Sequence, residues 1–181
     1  WVDGFYTKPR VDREILEKYH EGLIALSGCL FGEVAQKILS RNPDEAKETA
    51  RWYKETFGEG NYYLEVQNHG MVEEKEVLDG VVSISRELSI PMVATNDVHY
   101  CKKEDADVQR VLIAVQTNKV VGEDNALDFQ SDEFYLKSGD EMLEAFRDYP
   151  EAVHNTNIIA ECCNFDFEFG VTKLPLFDIP T

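Results

Sequence analysis

A membrane-spanning helix is missing from this sequence: no run comes near the roughly 18 consecutive apolar residues that such a span requires. Secretion signals are missing as well, because Trp1-Val2-Asp3-Gly4 offers neither a basic leader nor an apolar segment. A soluble, cytoplasmic protein is the expectation. Cysteine is scarce, with four in the whole chain: Cys29, Cys101, Cys162 and Cys163. The adjacent pair 162/163 fits neither a disulfide framework nor a Cys-x-x-Cys zinc knuckle, which suits a reducing compartment. Basic residues are the most telling shortage. Against 35 Asp and Glu stand 18 Lys and Arg, a formal charge of −17, the wrong sign for gripping a phosphate backbone. Alone, the chain should repel DNA. It is expected to meet nucleic acid only beside basic neighbours supplied by a larger protein, or else to use its acidic groups for a metal site or for solubility. An initiating methionine is absent too, and the Pro-spaced tail Lys173 to Thr181 resembles a lead into another domain. The sequence therefore reads as a piece of a longer chain. No internal repeat and no low-complexity segment occurs.

What is present suffices for one globular domain, since 181 residues with 43% hydrophobic content can bury a sizeable core. Asp12 is placed to cap a short helix carrying Ile15, Leu16 and Tyr19. An apolar run, Gly22 to Leu26, reads as a buried strand closed by Ser27-Gly28-Cys29. A helix is predicted next, showing Phe31, Val34, Ala35 and Ile38 on one face. Asn42-Pro43-Asp44-Glu45 reads as a helix start with Asn42 as N-cap, leading into Ala46, Ala50, Tyr53 and Phe57. Tyr62 to Gln67 is a predicted strand ending at Asn68-His69-Gly70, followed by a long helix bearing Val77, Leu78, Val81, Ile84 and Leu88. Pro91 to Thr95 is a third strand, ended by Asn96 to Tyr100, and a helix presenting Val108, Val111, Leu112 and Val115 to the core follows. Strands alternating with helices predict a parallel α/β sheet, closed into a barrel or doubly wound. Beyond it lie a polar loop over 117–130, a short strand over Glu133 to Lys137, and a capping box at Ser138 opening a helix through Met142, Leu143 and Phe146. A last helix is predicted from about Glu151 to Cys163, with Cys162 and Cys163 packing on the core and His20 and His154 at the surface.

In such folds the working groups sit where strands end. Cys29 follows the first strand, Asn68 and His69 the second, Asp97 and His99 the third. Asp97 and His99 are two apart, so in extended chain they point to the same side, and a carboxylate beside an imidazole is half of a metal site. Each also has a purely structural reading: Cys29 as a small buried hydrophobe, Asp97 as a turn former, His99 as a satisfied polar group, Glu65 as a solvent-facing strand residue.

Four stretches bear on that choice: Gly4 to Asp12 (GFYTKPRVD), Glu21 to Cys29 (EGLIALSGC), Glu65 to Gly70 (EVQNHG) and Val93 to Tyr100 (VATNDVHY). Together with Asp132 to Lys137, the Asn155-Thr156 helix and the Leu174-Pro175 tail, they resemble successive motifs of the PHP domain of bacterial DNA polymerase III alpha subunits. The resemblance covers nearly the whole chain and implies the C-terminal part of a distorted (β/α)7 barrel over residues 1–163, with 164–181 as an extended tail towards the polymerase palm. It implies Cys29, Asp97 and His99 as metal ligands, Asp97 and His99 as catalytic groups, and Glu65, Asn68 and His69 as residues standing behind them. The implied cofactor is a divalent metal: zinc, manganese or iron. The family's opening His-x-His motif and its further His, Asp and Glu ligands have no counterpart here. The chain alone is therefore expected to be metal-poor and inactive, and unable to polymerise, since the palm carboxylates lie beyond Thr181. Its parent is expected to work with the rest of the alpha subunit and with replisome subunits that include a proofreading exonuclease. A barrel lacking strands exposes an edge, so the chain is expected to self-associate or to cover the gap with its own termini. The competing implications are a metal-dependent 3′-to-5′ nuclease, a non-catalytic scaffold that docks a separate exonuclease, and a stand-alone PHP phosphoesterase.

Overall fold

The computed structural model describes residues 4–120 and 131–172. A two-residue hairpin comes first, β1 (Phe5–Tyr6) antiparallel to β2 (Lys8–Pro9), turning at Thr7 with φ of 59°. Asp12 caps α1 (Arg13–Tyr19) as predicted, its carboxylate accepting from the Ile15 N–H at 3.0 Å. Next in order come β3 (Ala25–Leu26), α2 (Glu33–Leu39), α3 (Pro43–Phe57), β4 (Tyr62–Val66), α4 (Val72–Leu88) and β5 (Met92–Ala94). The three strands pair in parallel in the order β3-β4-β5, so their C-terminal ends share one edge. A parallel sheet with helical crossovers is the predicted fold class, and it is the fold observed.

The core lies where α2, α3 and α4 cover this sheet. Ala46 and Ala50 of α3 and Leu64 of β4 are fully buried, with Val34, Ile38, Val77, Val81 and Ile84 packed around them. Small residues let helices approach. A Cβ on Gly80 in α4 would meet the Ile38 side chain at 2.8 Å, so glycine there admits α2. After β5, α5 (Ala106–Thr117), α6 (Gly139–Ala145) and α7 (Pro150–Cys162) complete the described chain. α7 packs on β5, and its Asn155 amide donates to the Met92 carbonyl at 2.7 Å. The capping box at α6 is present: Ser138 Oγ accepts from the Glu141 N–H, and Glu141 accepts from the Ser138 N–H. That backbone bond, with help from the Tyr135 hydroxyl, draws the Glu141 carboxyl down to about 2.

Several expectations need correction. Phe31 precedes α2 and is 89% exposed rather than core-facing. Asn42 stands at the N-cap of α3 without a side-chain cap bond, its ψ of 66° turning the residue away from capping geometry. The strand predicted over Glu133 to Lys137 reduces to a single parallel bridge, Tyr135 with Tyr100. Cys162 and Cys163 are exposed at the end of α7, not packed. The largest correction concerns α5, whose stripe Val108, Val111, Leu112 and Val115 faces solvent while Ala106, Ile113 and Ala114 make the buried contacts. Periodicity reveals an apolar face but not which body it meets. Of the predicted loop 117–130, residues 121–130 fall outside the described residues, as does the tail from 173 onward. Among the described residues no helix is long and apolar enough to cross a membrane.

Candidate metal and polar site at the sheet edge

All the candidate residues lie at or beyond the C-terminal ends of β3, β4 and β5, but they divide into two neighbourhoods. Cys29 sits in the loop from β3 to α2, beside a small cleft lined also by Gly28, Glu65, Gln67, Glu74 and Leu78. Gly32 pins this loop: a Cβ there would collide with the carbonyl oxygen of Ser27. Glu65, in β4, ties the strands together. One carboxylate oxygen accepts from the Gly28 N–H at 3.1 Å, and the other accepts from the hydroxyl of Thr95 beyond β5. The reading of Glu65 as a solvent-facing residue gives way to that of a cross-strand brace.

The second neighbourhood follows β5. His99 Nε2 lies 3.4 Å from Asp97 Oδ1, with the two side chains 35% and 44% exposed. Asp97 has φ of 41°, in the left-handed region that aspartate enters more readily than most residues. Water and an added ligand can reach this pair. Asn68 is exposed and donates to the Ala145 carbonyl at the end of α6, at 3.0 Å, so it serves a different contact.

His69 is buried with no exposed side-chain surface, and Glu74 shows 4%. Glu74 occupies the third position of α4, where its carboxylate accepts from the backbone N–H groups of His69 at 2.6 Å and Met71 at 3.3 Å. Its other oxygen meets His69 Nδ1, while His69 Nε2 donates to the Asn96 carbonyl at 2.9 Å. The imidazole thus fastens the end of β4 to the end of β5. Asn96 continues the network, its amide donating to the carbonyls of Glu133 at 3.1 Å and Tyr135 at 2.7 Å and its oxygen accepting from Lys137 at 3.2 Å. The Lys103 hydrogen bond holds the neighbouring Glu133 carboxyl below its usual range despite partial burial, and Lys137 adds to the effect.

Sequence reasoning missed Glu74, Asn96 and Lys137. Glu74 had a usable signal, a glutamate at the third position of a helix reaching back over its own N-terminus. For Lys137 only the pairing with Glu133, four residues earlier, is local; its bond to Asn96 spans 41 residues and left no signal.

Comparison with known proteins settles the kinship. A PHP-domain model matches residues 1–69, which include Cys29 and His69. DNA polymerase III subunit alpha of Treponema pallidum is 45% identical over 180 residues, covering 99% of this chain. The corresponding subunits of Borreliella burgdorferi and Thermus aquaticus are 41% and 39% identical, each again over 99% of it. The first 69 residues match the PHP domain, and nearly the whole chain is similar to a stretch of DNA polymerase III alpha subunits. The chain spans only 15% of the length of the Treponema protein and 16% of the Borreliella one. The alternation of parallel strands and helices is that of a partial PHP barrel.

The metal implied by this kinship can be tested against the donors present. Asp97 and His99 have the spacing of two ligands on one ion, yet among the described residues no group of three or more His, Cys, Asp and Glu is placed to hold one. A closed structural zinc site takes four donors. The described PHP residues do not fit a complete site by themselves.

Proposed function

We propose that this chain serves DNA-directed DNA synthesis as the PHP segment of a bacterial replicative polymerase alpha subunit, in the cytoplasm. We further infer that Asp97 and His99 belong to a centre for 3′-to-5′ hydrolysis of phosphodiesters. The observation that carries this reading is the carboxylate–imidazole pair, accessible to water, at the C-terminal edge of a parallel sheet, where barrel enzymes keep their working groups. Donors on other segments of a longer subunit would complete the site around zinc, manganese or iron, with Cys29 a candidate on the neighbouring loop. A bound metal supplies the Lewis acidity that activates water at neutral pH. Asp97 and His99 would contribute an oxygen and a nitrogen, while Glu65 and His69 hold the strand ends in register. DNA would be held by basic surfaces elsewhere in the subunit, since this segment carries −17.

A second reading is a scaffold that docks a separate proofreading exonuclease, and the exposed aliphatic stripe of α5 favours it. The two readings part in one assay. The full-length subunit, purified without other replisome proteins, should shorten a primer from its 3′ end with manganese, and chelation should abolish the shortening. Primer extension on the same preparation shows that the protein is intact. A subunit that extends primers but never shortens them would leave the scaffold reading standing.

A further inference from the structure

Phe134 contacts both histidines that follow β4 and β5. Its ring stacks on His69, with centroids 3.9 Å apart and planes 13° from parallel. The same ring meets His99 edge-on, at 5.7 Å and 72°. Phe134 is 5% exposed and the His69 side chain fully buried, so of the three rings His99 alone faces water.

Each member of the stack is fixed by its own bonds. His69 is held at both ring nitrogens, by Glu74 and by the Asn96 carbonyl. The Phe134 carbonyl accepts from the His99 N–H at 2.8 Å. The carbonyls on either side of Phe134, those of Glu133 and Tyr135, both accept from the Asn96 amide. The Leu136 N–H donates to the Tyr100 carbonyl at 3.1 Å. Segment 133–137 is thereby laid along the chain that carries Asp97 and His99, although it follows them by more than thirty residues. A ring clamped on one face by a fully bonded histidine cannot shift without breaking buried contacts, which makes it a fixed neighbour for His99.

We propose that Phe134 is a positioning residue: it sets the orientation of the His99 imidazole beside Asp97, and His69 acts through it. The inference rests on the reading of Asp97 and His99 as metal donors. Histidine ligands need a defined ring orientation, and groups behind them supply it. Here the restraint includes a packed aromatic ring, itself braced by a second histidine.

The test uses nuclear magnetic resonance on this chain with labelled histidine and phenylalanine, Mn²⁺ as the probe ion, and the variants Phe134→Leu and Phe134→Tyr. In the unmodified chain, His99 should hold one side-chain rotamer and show cross-relaxation to Phe134 ring protons, and Mn²⁺ should broaden Asp97 and His99 before other residues. Phe134→Leu should average the His99 rotamers and weaken Mn²⁺ binding about 10-fold, and Phe134→Tyr should restore both. A purely structural role would lower the melting temperature while leaving His99 ordered and Mn²⁺ binding unchanged, and that result overturns the proposal. So does missing cross-relaxation between His99 and Phe134 in the unmodified chain, which requires no variant to fold. If Mn²⁺ broadens neither Asp97 nor His99, these two side chains do not hold the ion without the donors of other segments. The positioning role is then decided by the His99 rotamers alone, which require no metal.

Discussion

Replacing Asp97 with asparagine is expected to lower metal-dependent 3′-to-5′ degradation by the full-length subunit at least about 100-fold, with primer extension close to its unmodified rate. Asparagine matches aspartate in size and tolerates the left-handed backbone at this position, where φ is 41°. The side chain is 44% exposed, and its only recorded ion-pair partner among the described residues is His99. The substitution therefore removes a charge while sparing the fold, as a melting curve on the same sample would verify. Degradation within a factor of two of the unmodified subunit would end the catalytic reading of Asp97. Equal losses in degradation and extension would indicate general damage instead.

The largest effect on stability is expected at Glu74. Alanine there strips the acceptor from His69 Nδ1 and from the backbone N–H groups of His69 and Met71, in a site where the histidine has no access to water. Breaking a buried pair by deleting one partner typically costs about 3–5 kcal/mol, and urea unfolding of this chain would read it directly. A loss below about 1 kcal/mol would mean that the pair is not closed in solution. Replacing His69 and Glu74 together with apolar residues of similar volume should recover part of the loss, because no imidazole is then left without its acceptor, and only part, because the backbone N–H groups of residues 69 and 71 and the Asn96 carbonyl still lose a partner.

Much of this molecule could be read from local rules. Asp12 and Ser138 announce the helices they cap, because capping involves residues three apart and needs no tertiary partner. The faces of α3 and α4 were legible because a stripe flanked by polar residues has one stable place to go. The limits were equally physical. Asn42 fits the residue preference of an N-cap, yet its backbone geometry forgoes the bond. Glu133 to Lys137 has the composition of a strand, but strands exist only through partners, and this segment makes one bridge. At the site, Asp97 and His99 were legible as a pair from their two-residue separation, although Asp97 leaves the extended backbone that this reading assumed. The stack of His69, Phe134 and His99 was invisible, joining three parts of the chain by faces and edges of rings that no spacing rule encodes.

The outward stripe of α5 also bears on how this protein behaves in concentrated solution. Copies carrying −17 repel one another at a distance, whereas aliphatic side chains on α5 attract only at contact. Dissolved salt shortens the reach of the repulsion, from about 10 Å at 0.1 M to about 3 Å at 1 M, and leaves the contact attraction in place. Colloidal stability should therefore decline as ionic strength rises, and a cationic surface laid beside α5 would act as salt does, neutralising the barrier exactly where the adhesive patch lies.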